Sequence, residues 1–294
     1  MKTLYYDCGE LGWSLYLLGH LNWLIKNKRT NDFSICTYKN RRFLYKHLPV
    51  EILSIPFGMS EKIKNFDMDG THLFDHDKQE RINNKFLKEL FHHYYGDKYI
   101  IHNEYSKFFD ESNHETLLSS LNSLMITNEI IGNNKCILIF PRKRIGKFAK
   151  RNLPEEFYIE LINEISTKYK DIKIISIGLP SSSYKLTNSI GSNNFIDLTE
   201  LDSNEMLELV FTILNTGKVI TSVGSQSALP KISLLQKVPT FMIGHEKVRH
   251  TETDNWMNTK CGFYELKRDY VIDIQDCINE FISFFEELQY ENSI

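Results

Sequence analysis

Long apolar runs and paired cysteines are both missing from this sequence of 294 residues. A membrane-spanning helix needs about 20 consecutive apolar residues, so no membrane span is predicted. The apolar N-terminal stretch is interrupted by acidic residues and has no small-residue cleavage site, so a signal peptide is not expected. The five cysteines are scattered without a C-x-x-C pair, which is typical of reduced thiols and not of a disulfide scaffold or a zinc site. We therefore predict a cytoplasmic protein.

An excess of positive charge is also missing. The 35 lysines and arginines are outnumbered by 38 acidic residues, which gives a net charge of −3 and does not favour strong binding to nucleic acid phosphates. The D-x-D pattern at Asp67-Met68-Asp69 follows no predicted strand. The histidines and aspartates of 72–77 do not have the spacing of a closed tetrahedral site. We expect a solvated loop there and no bound metal.

What the sequence does contain is an alternation of strands and helices. In the second half, strands are predicted at 135–140, 172–177, 195–198, 218–221 and 240–243, and helices at 154–169, 203–215 and 227–236. Such alternation specifies a parallel sheet covered by helices. The first half begins in the same way, with a strand at 2–6, a glycine loop and a helix at 13–26. We therefore predict an α/β fold of two Rossmann-like domains that face each other across a cleft.

The expected limits of the domains follow from this rhythm. The first domain is predicted over 1–130 and the second over 131–272. An amphipathic helix completes the chain over 273–294, and packing back on the first domain is one option for it. Within the first domain the stretch 78–95 has a helical pattern, whereas 91–109 shows no clean period.

Most strands of the second half are followed by residues suited to a phosphate. Six cations and no acids occupy 141–151, Gly178 and Gly244 follow two other strands, and 219–230 (VITSVGSQSALP) joins a strand to a helix through a glycine and hydroxyls. Because the carboxyl ends of parallel strands meet at one edge beside helix N-termini, these groups can surround one anion. Each segment alone is as well explained by a structural turn or a solvated basic surface. Their coincidence at successive strand ends favours a ligand with phosphates.

Four segments, in order over about 136–245, resemble motifs of heptosyltransferase-like enzymes of the GT-B glycosyltransferase class. The segments are Lys150–Phe157 (KRNLPEEF), Asn194–Thr199 (NFIDLT), Thr221–Pro230 (TSVGSQSALP) and Val238–Gly244 (VPTFMIG). The sequence departs from the family pattern in three places. No histidine occurs from Gln226 to Leu229, no aspartate precedes Ser222, and 181–184 lacks the acidic residue often seen there.

The resemblance implies an inverting, metal-independent glycosyltransferase of the hexosyl-, heptosyl- or pentosyl-transferring kind. Its second domain would hold a nucleotide-sugar donor, which is a co-substrate, and no other cofactor is expected. The implied donor-binding residues are Arg142, Arg144, Lys150, Arg151, Gly178, Ser222, Gly224, Ser225, Gln226, Ser227, Gly244 and His245.

The first domain would then hold the acceptor, next to the segment Asp7–Gly12 (DCGELG). The family carries a catalytic aspartate at this strand end. An inverting transfer needs a general base, and a carboxylate with a raised pKa can serve. Glu10 is the first candidate and Asp7 the second, with Gly9 and Gly12 beside the acceptor. The alternative is that Asp7 bonds the loop and Glu10 is a solvated residue at a helix start.

Three functions remain open from the sequence. The first is transfer to a hydroxyl of a glycan or a small molecule. The second is transfer to modified DNA bases by a viral type of enzyme, which the cluster 142–151 supports and the net charge of −3 does not. The third is a nucleotide-sugar-binding protein without catalysis. A candidate base at Glu10 or Asp7 keeps the catalytic alternatives open.

Overall fold

A computed structural model describes residues 1–8, 11–67, 74–75, 80–81, 85–102, 130–145, 149, 151–200, 203–245, 259–266 and 271–291. The chain divides into two compact units, Met1–Ser120 and Leu121–Ile294. The domain limits expected from the sequence, and the cleft between the domains, stay predictions.

The first unit is built around a parallel sheet. Its elements are β1 (Lys2–Asp7), α1 (Leu11–Lys28), β2 (Phe33–Thr37), a 3-10 helix (Lys39–Tyr45), β3 (Glu51–Ser54), α2 (Phe57–Asp67), β4 (Phe74–Asp75), β5 (Glu80–Arg81), α3 (Lys85–Tyr95) and β6 (Tyr99–His102). Four strands form the sheet in the order β3-β2-β1-β6, and all are parallel. The short strands β4 and β5 pair antiparallel. The core includes Tyr6, which stacks on Phe91 with 4.2 Å between ring centroids.

The second unit is built around a larger parallel sheet. Its elements are β7 (Cys136–Phe140), α4 (Glu155–Lys168), β8 (Lys173–Ser176), β9 (Phe195–Asp197), α5 (Ser203–Leu214), β10 (Val219–Ser225), α6 (Ala228–Leu235), β11 (Thr240–Gly244), β12 (Cys261–Glu265) and α7 (Ile274–Glu291). Six strands form the sheet in the order β12-β11-β10-β7-β8-β9, and all are parallel. The predicted α/β fold with two parallel sheets is confirmed.

Burial explains these elements. Every residue of β7 is buried, as expected of a strand covered on both faces of a parallel sheet. Helix α4 begins after Pro154 and carries Glu155 and Glu156 in its first turn, where the helix dipole favours negative charge. Helix α7 packs on the second sheet, where Phe281 meets Phe241 edge-to-face at 5.5 Å. Whether α7 also packs back on the first unit stays a prediction.

Two predicted element limits are wrong. Helix α3 begins at Lys85, and not at residue 78, because Glu80–Arg81 pairs with Phe74–Asp75 as a strand. Strand β10 continues to Ser225, and does not end at residue 221, because residues 222–224 pair with neighbouring strands on both sides.

Each sheet has one point where the order of strands reverses. In the second sheet the chain adds β8 and β9 on one side of β7, then adds β10, β11 and β12 on the other. In the first sheet the corresponding point lies between β1 and β6. Open parallel sheets bind ligands beyond the strand ends at such switch points. Within the described part of the chain, no helix is long and apolar enough to cross a membrane.

Candidate functional site

The switch point between β7 and β10 is the centre of the candidate site. Strand β7 leads into Pro141 and Arg142, and β10 ends at Ser225, three residues before α6 begins at Ala228. Ser227 precedes α6 with extended backbone and makes no side-chain capping bond. The first N–H groups of α6 are therefore not capped by this hydroxyl, and they lie where an anion is favoured.

Asn152 holds the basic loop that follows β7. Its Oδ1 accepts hydrogen bonds from Nη1 of Arg142 and from the main-chain N–H of Arg144, both at 2.9 Å. Its Nδ2 donates to the carbonyl of Arg144 at 2.8 Å. The side chain of Asn152 thus holds both the guanidinium of Arg142 and the main chain of Arg144. The sequence reading missed Asn152, although it lies inside the motif Lys150–Phe157.

The loops after β7 and β8 form one continuous surface. Arg142 bridges to Ser183, and the N–H of Lys143 donates to the carbonyl of Ser182 at 2.8 Å. The ammonium of Lys143 lies over the ring of Tyr184 at 4.9 Å from its centroid. Gly178 also lies against Ser183, since a Cβ at position 178 would be 2.1 Å from Oγ and 3.2 Å from Cβ of Ser183.

A second group joins the ends of β10 and β11. A Cβ on Gly244 would lie 2.5 Å from Oε1 of Gln226, so glycine allows this side chain to pass. Oε1 of Gln226 in turn accepts the main-chain N–H of His245 at 3.3 Å. Nδ1 of His245 lies 2.8 Å from the carbonyl of Leu266. Because a carbonyl only accepts, Nδ1 carries a proton and donates in this contact.

Three of the predicted donor residues lie within β10 and not in a loop. Ser225 ends the strand, and Ser222 and Gly224 lie inside it. Ser222 is fully buried, and its hydroxyl shares a hydrogen bond of 3.0 Å with that of Thr240 on β11. Gly224 is needed for packing, since a Cβ there would lie 3.0 Å from Cβ of Phe140. Both residues hold the strands together, and their predicted contacts with a donor stay untested.

Two further predicted donor residues, Lys150 and Arg151, precede α4 in the chain. Arg151 is exposed beside the N-terminus of α4. Lys150 lies outside the described residues.

Buried hydroxyls at the same edge were not found from the sequence. The side chains of Tyr158, Ser176, Thr199 and Ser225 have no hydrogen-bond partner among the described residues. Ser176 and Ser225 end β8 and β10, Thr199 follows β9, and Tyr158 lies in the first half of α4. Serine, threonine and tyrosine at such positions look like ordinary core or turn residues in a sequence, so no signal marks them.

The motif Asn194–Thr199 has a structural role. Oδ2 of Asp197 accepts the main-chain N–H of Leu186 at 2.7 Å and that of Thr187 at 3.1 Å. Nδ2 of Asn194 donates to the carbonyl of Ile172 at 2.8 Å. These contacts hold the loops around β8 and β9.

In the first unit, Asp7 lies fully buried at the end of β1. Its Oδ1 accepts from the Ser14 hydroxyl at 3.0 Å, and its Oδ2 accepts from Thr37 and Tyr45, both at 2.9 Å. Arg41 forms an ion pair with Oδ1 at 3.4 Å. Four donors occupy the carboxylate, and these contacts favour a structural role over that of a base. Its catalytic role stays a prediction.

The other predicted acceptor residues are less informative. Gly9 and Glu10, the first candidate for the base, lie outside the described residues. Gly12 lies in the first turn of α1, and a Cβ there would meet no atom of a described residue within 4 Å. Glycine is therefore not required at this position by packing.

Comparison with solved structures finds this fold in glycosyltransferases. The E. coli ADP-heptose LPS heptosyltransferase II has a TM-score of 0.61 at 12% identity, over 98% of this chain and 100% of that one. The E. coli heptosyltransferase WaaC with ADP has a TM-score of 0.56 at 10% identity, over 98% and 99% of the two chains. A glycosyl transferase of family 9 from Veillonella parvula has a TM-score of 0.54 at 8% identity, over 97% of each chain.

At these identities the likeness shows the fold alone. The predicted resemblance to heptosyltransferases and the predicted GT-B fold class are confirmed at that level. No protein-family model and no curated protein matches the sequence.

Proposed function

We propose that this protein is an inverting, metal-independent glycosyltransferase that moves a sugar from a nucleotide sugar to a hydroxyl acceptor. The observation that carries the proposal is the switch point between β7 and β10. There the loop that carries Arg142 and Arg144 follows β7, and the N-terminus of α6 follows the neighbouring strand β10. This combination is suited to a diphosphate. The solved heptosyltransferase WaaC, which has this fold, was obtained with ADP and with ADP-2-deoxy-2-fluoro heptose.

The cations would supply the charge that the leaving group needs. When the bond to the sugar breaks, negative charge develops on the departing nucleoside diphosphate. Arg142, Arg144 and Arg151 lie along the loop that follows β7 and leads into α4, and fixed cations stabilise such charge without rearrangement. The proposal of metal independence rests on these side chains.

The acceptor would bind the first unit, at the end of β1. A base removes the proton of the acceptor hydroxyl, and its oxygen then attacks the anomeric carbon from the face opposite the diphosphate, which inverts the configuration. Glu10 remains the first candidate for the base, because the contacts of Asp7 occupy its carboxylate. The acceptor class remains open between a glycan, a small molecule and DNA.

Thermal denaturation with a panel of nucleotides and nucleotide sugars tests the donor site. At least one nucleoside diphosphate should raise the melting temperature of the wild type, because binding to the folded state stabilises it. Arg142→Ala and Arg151→Ala should reduce this rise. Lys168→Ala is the matched control, because Lys168 pairs with Glu164 at the far end of α4. A panel without any stabilising nucleotide would contradict the donor-site assignment.

Product release distinguishes the functions that the sequence leaves open. Release of nucleoside diphosphate in the presence of glycans, small hydroxyl compounds or DNA identifies the acceptor class. Binding without release across the whole panel would favour a non-catalytic protein. Normal turnover of Glu10→Gln would place the base elsewhere.

A further inference from the structure

Tyr158 and Ser225 are two buried hydroxyl groups at the switch point of the second sheet. Tyr158 is 0% exposed and Ser225 is 1% exposed. Neither hydroxyl meets the geometry of a hydrogen bond to another described residue. Tyr45, which is buried to the same extent, donates to Asp7 at 2.9 Å, and Tyr184 donates to the carbonyl of Leu153 at 3.2 Å. Buried hydroxyls normally find partners, so the Tyr158–Ser225 pair requires an explanation.

The two hydroxyls lie on the same side of the sheet. Val223 belongs to the core cluster that contains Tyr158 and Ile139. Side chains alternate along a strand, so Ser225 points to the same face as Val223. Burial raises the pKa of Tyr158, while the main-chain N–H of Arg142 and the Ser225 hydroxyl act to lower it. Tyr158 and Ser225 therefore lie on the face of the sheet that α4 covers, with Ser225 at the end of β10.

We propose that Tyr158 is a positioning residue of the donor site: once a nucleotide binds, its phenol donates to Oγ of Ser225, and this directs the Ser225 proton to a phosphate oxygen of that nucleotide. The inference rests on the proposed function and deepens it. Ser225 lies three residues before the first residue of α6, and a phosphate is favoured at a helix N-terminus. A chain of two hydroxyls that ends on an anion polarises both hydrogen bonds in the same direction.

Tyr158→Phe removes one oxygen and leaves the ring in place. In the free protein the Tyr158 hydroxyl makes no hydrogen bond to another described residue, so its removal breaks none. Free Tyr158→Phe should therefore melt at the same temperature as the wild type or higher. The nucleoside diphosphate that stabilises the wild type most should bind about fivefold to tenfold more weakly. The corresponding nucleoside, which lacks phosphate, should bind both proteins equally. Calorimetry and thermal denaturation of the full chain provide these measurements.

The double variant tests whether the two hydroxyls act as one chain. Ser225→Ala removes the group that contacts the phosphate. If Tyr158 acts through Ser225, Tyr158→Phe combined with Ser225→Ala should bind the nucleotide no more weakly than Ser225→Ala alone. Additive losses would overturn the relay.

Ser166→Ala is the matched control. Its hydroxyl is also buried and unpartnered among the described residues, but it lies eight positions along α4 from Tyr158, which is about 12 Å away. Ser166→Ala should leave nucleotide affinity unchanged. A lower melting temperature of free Tyr158→Phe, or wild-type affinity for the nucleotide, overturns the inference while the donor site stands. A wild type that binds no nucleotide overturns the proposed function and this inference together.

Discussion

The Tyr45 phenol donates a hydrogen bond of 2.9 Å to Oδ2 of Asp7, although the two residues are 38 positions apart. The hydroxyl of Thr37 donates to the same oxygen at 2.9 Å. Ser14 and Arg41 complete the set on Oδ1. Asp7 therefore connects the ends of β1 and β2, the first turns of α1 and the 3-10 helix. A carboxylate with this many donors is a structural centre of the first unit.

Replacing Asp7 by Asn should destabilise the first unit. The substitution keeps the size of the side chain, but it removes the carboxylate charge that lies 3.4 Å from the partly buried Arg41 and turns an N–H₂ group towards other donors. Breaking a buried ion pair costs about 3–5 kcal/mol, so we expect the free energy of unfolding to fall by about 3 kcal/mol. Urea denaturation followed by circular dichroism measures this change.

Thr37→Val is the control for Asp7→Asn, because it removes one donor and no charge. Its expected cost is about 1 kcal/mol. Nucleotide binding should survive in both variants, since the donor site is proposed in the second unit. An Asp7→Asn protein that is as stable as the wild type and inactive in transfer would instead identify Asp7 as a catalytic group.

Asn152→Ala should weaken nucleotide binding more than it weakens the fold. The side chain makes three hydrogen bonds to Arg142 and Arg144, and without them the loop loses its fixed arrangement. Each hydrogen bond is worth about 1 kcal/mol, so we expect roughly tenfold weaker binding of the stabilising nucleotide by calorimetry.

Asn215→Ala is the matched control for Asn152→Ala. Nδ2 of Asn215 donates to Phe211 and Gln236, which lie at the C-terminal ends of α5 and α6. This variant should lose stability at unchanged nucleotide affinity. Equal losses of affinity in the two variants would mean that Asn152 has no specific role in the site.

The sequence predicted the centre of each sheet better than its margins. Strand β7 was recognised because all its residues are apolar and buried. Strand β12 was missed, because it is a partly exposed edge strand that contains a glycine, and Tyr264 reaches out to Asp276 at 3.0 Å. Strand β6 was missed because its four residues lie in an aromatic stretch without alternation.

The site was predictable in its position but not in its detail. The strand-end rule placed the cations and glycines at one edge, and Gly178 and Gly244 do make close approaches there. The partners of Asp7 come from three separate segments, so no local pattern reveals them. An unpartnered hydroxyl such as that of Tyr158 exists only in the folded chain.

Gly178→Ala should destabilise the second unit, and Ser183→Ala should relieve most of the loss. The added Cβ would lie 2.1 Å from Oγ of Ser183 but 3.2 Å from its Cβ. Forcing an extra carbon into such a contact costs about 1–3 kcal/mol, and removing Oγ opens the space. Thermal denaturation of the two single variants and the double variant checks this. A Gly178→Ala protein of unchanged stability would show that the Ser183 side chain turns away at no cost.

The stability of the first unit should fall as the pH falls, in part through His47. Burial lowers the pKa of His47 from 6.5 to about 4, and Nε2 contacts Oδ1 of Asn22 at 3.3 Å. Between these two pKa values the unfolded chain binds a proton that the folded chain does not, so acid favours unfolding.

The His47→Gln variant tests this pH dependence. The substitution removes the imidazole that binds the proton, and the glutamine amide can keep a polar contact with Asn22. Urea denaturation gives the free energy of unfolding of both proteins. The wild-type value minus the His47→Gln value should be smaller at pH 5 than at pH 7.5. Other titrating groups cancel in this difference, and a difference that does not change with pH would contradict the neutral buried imidazole.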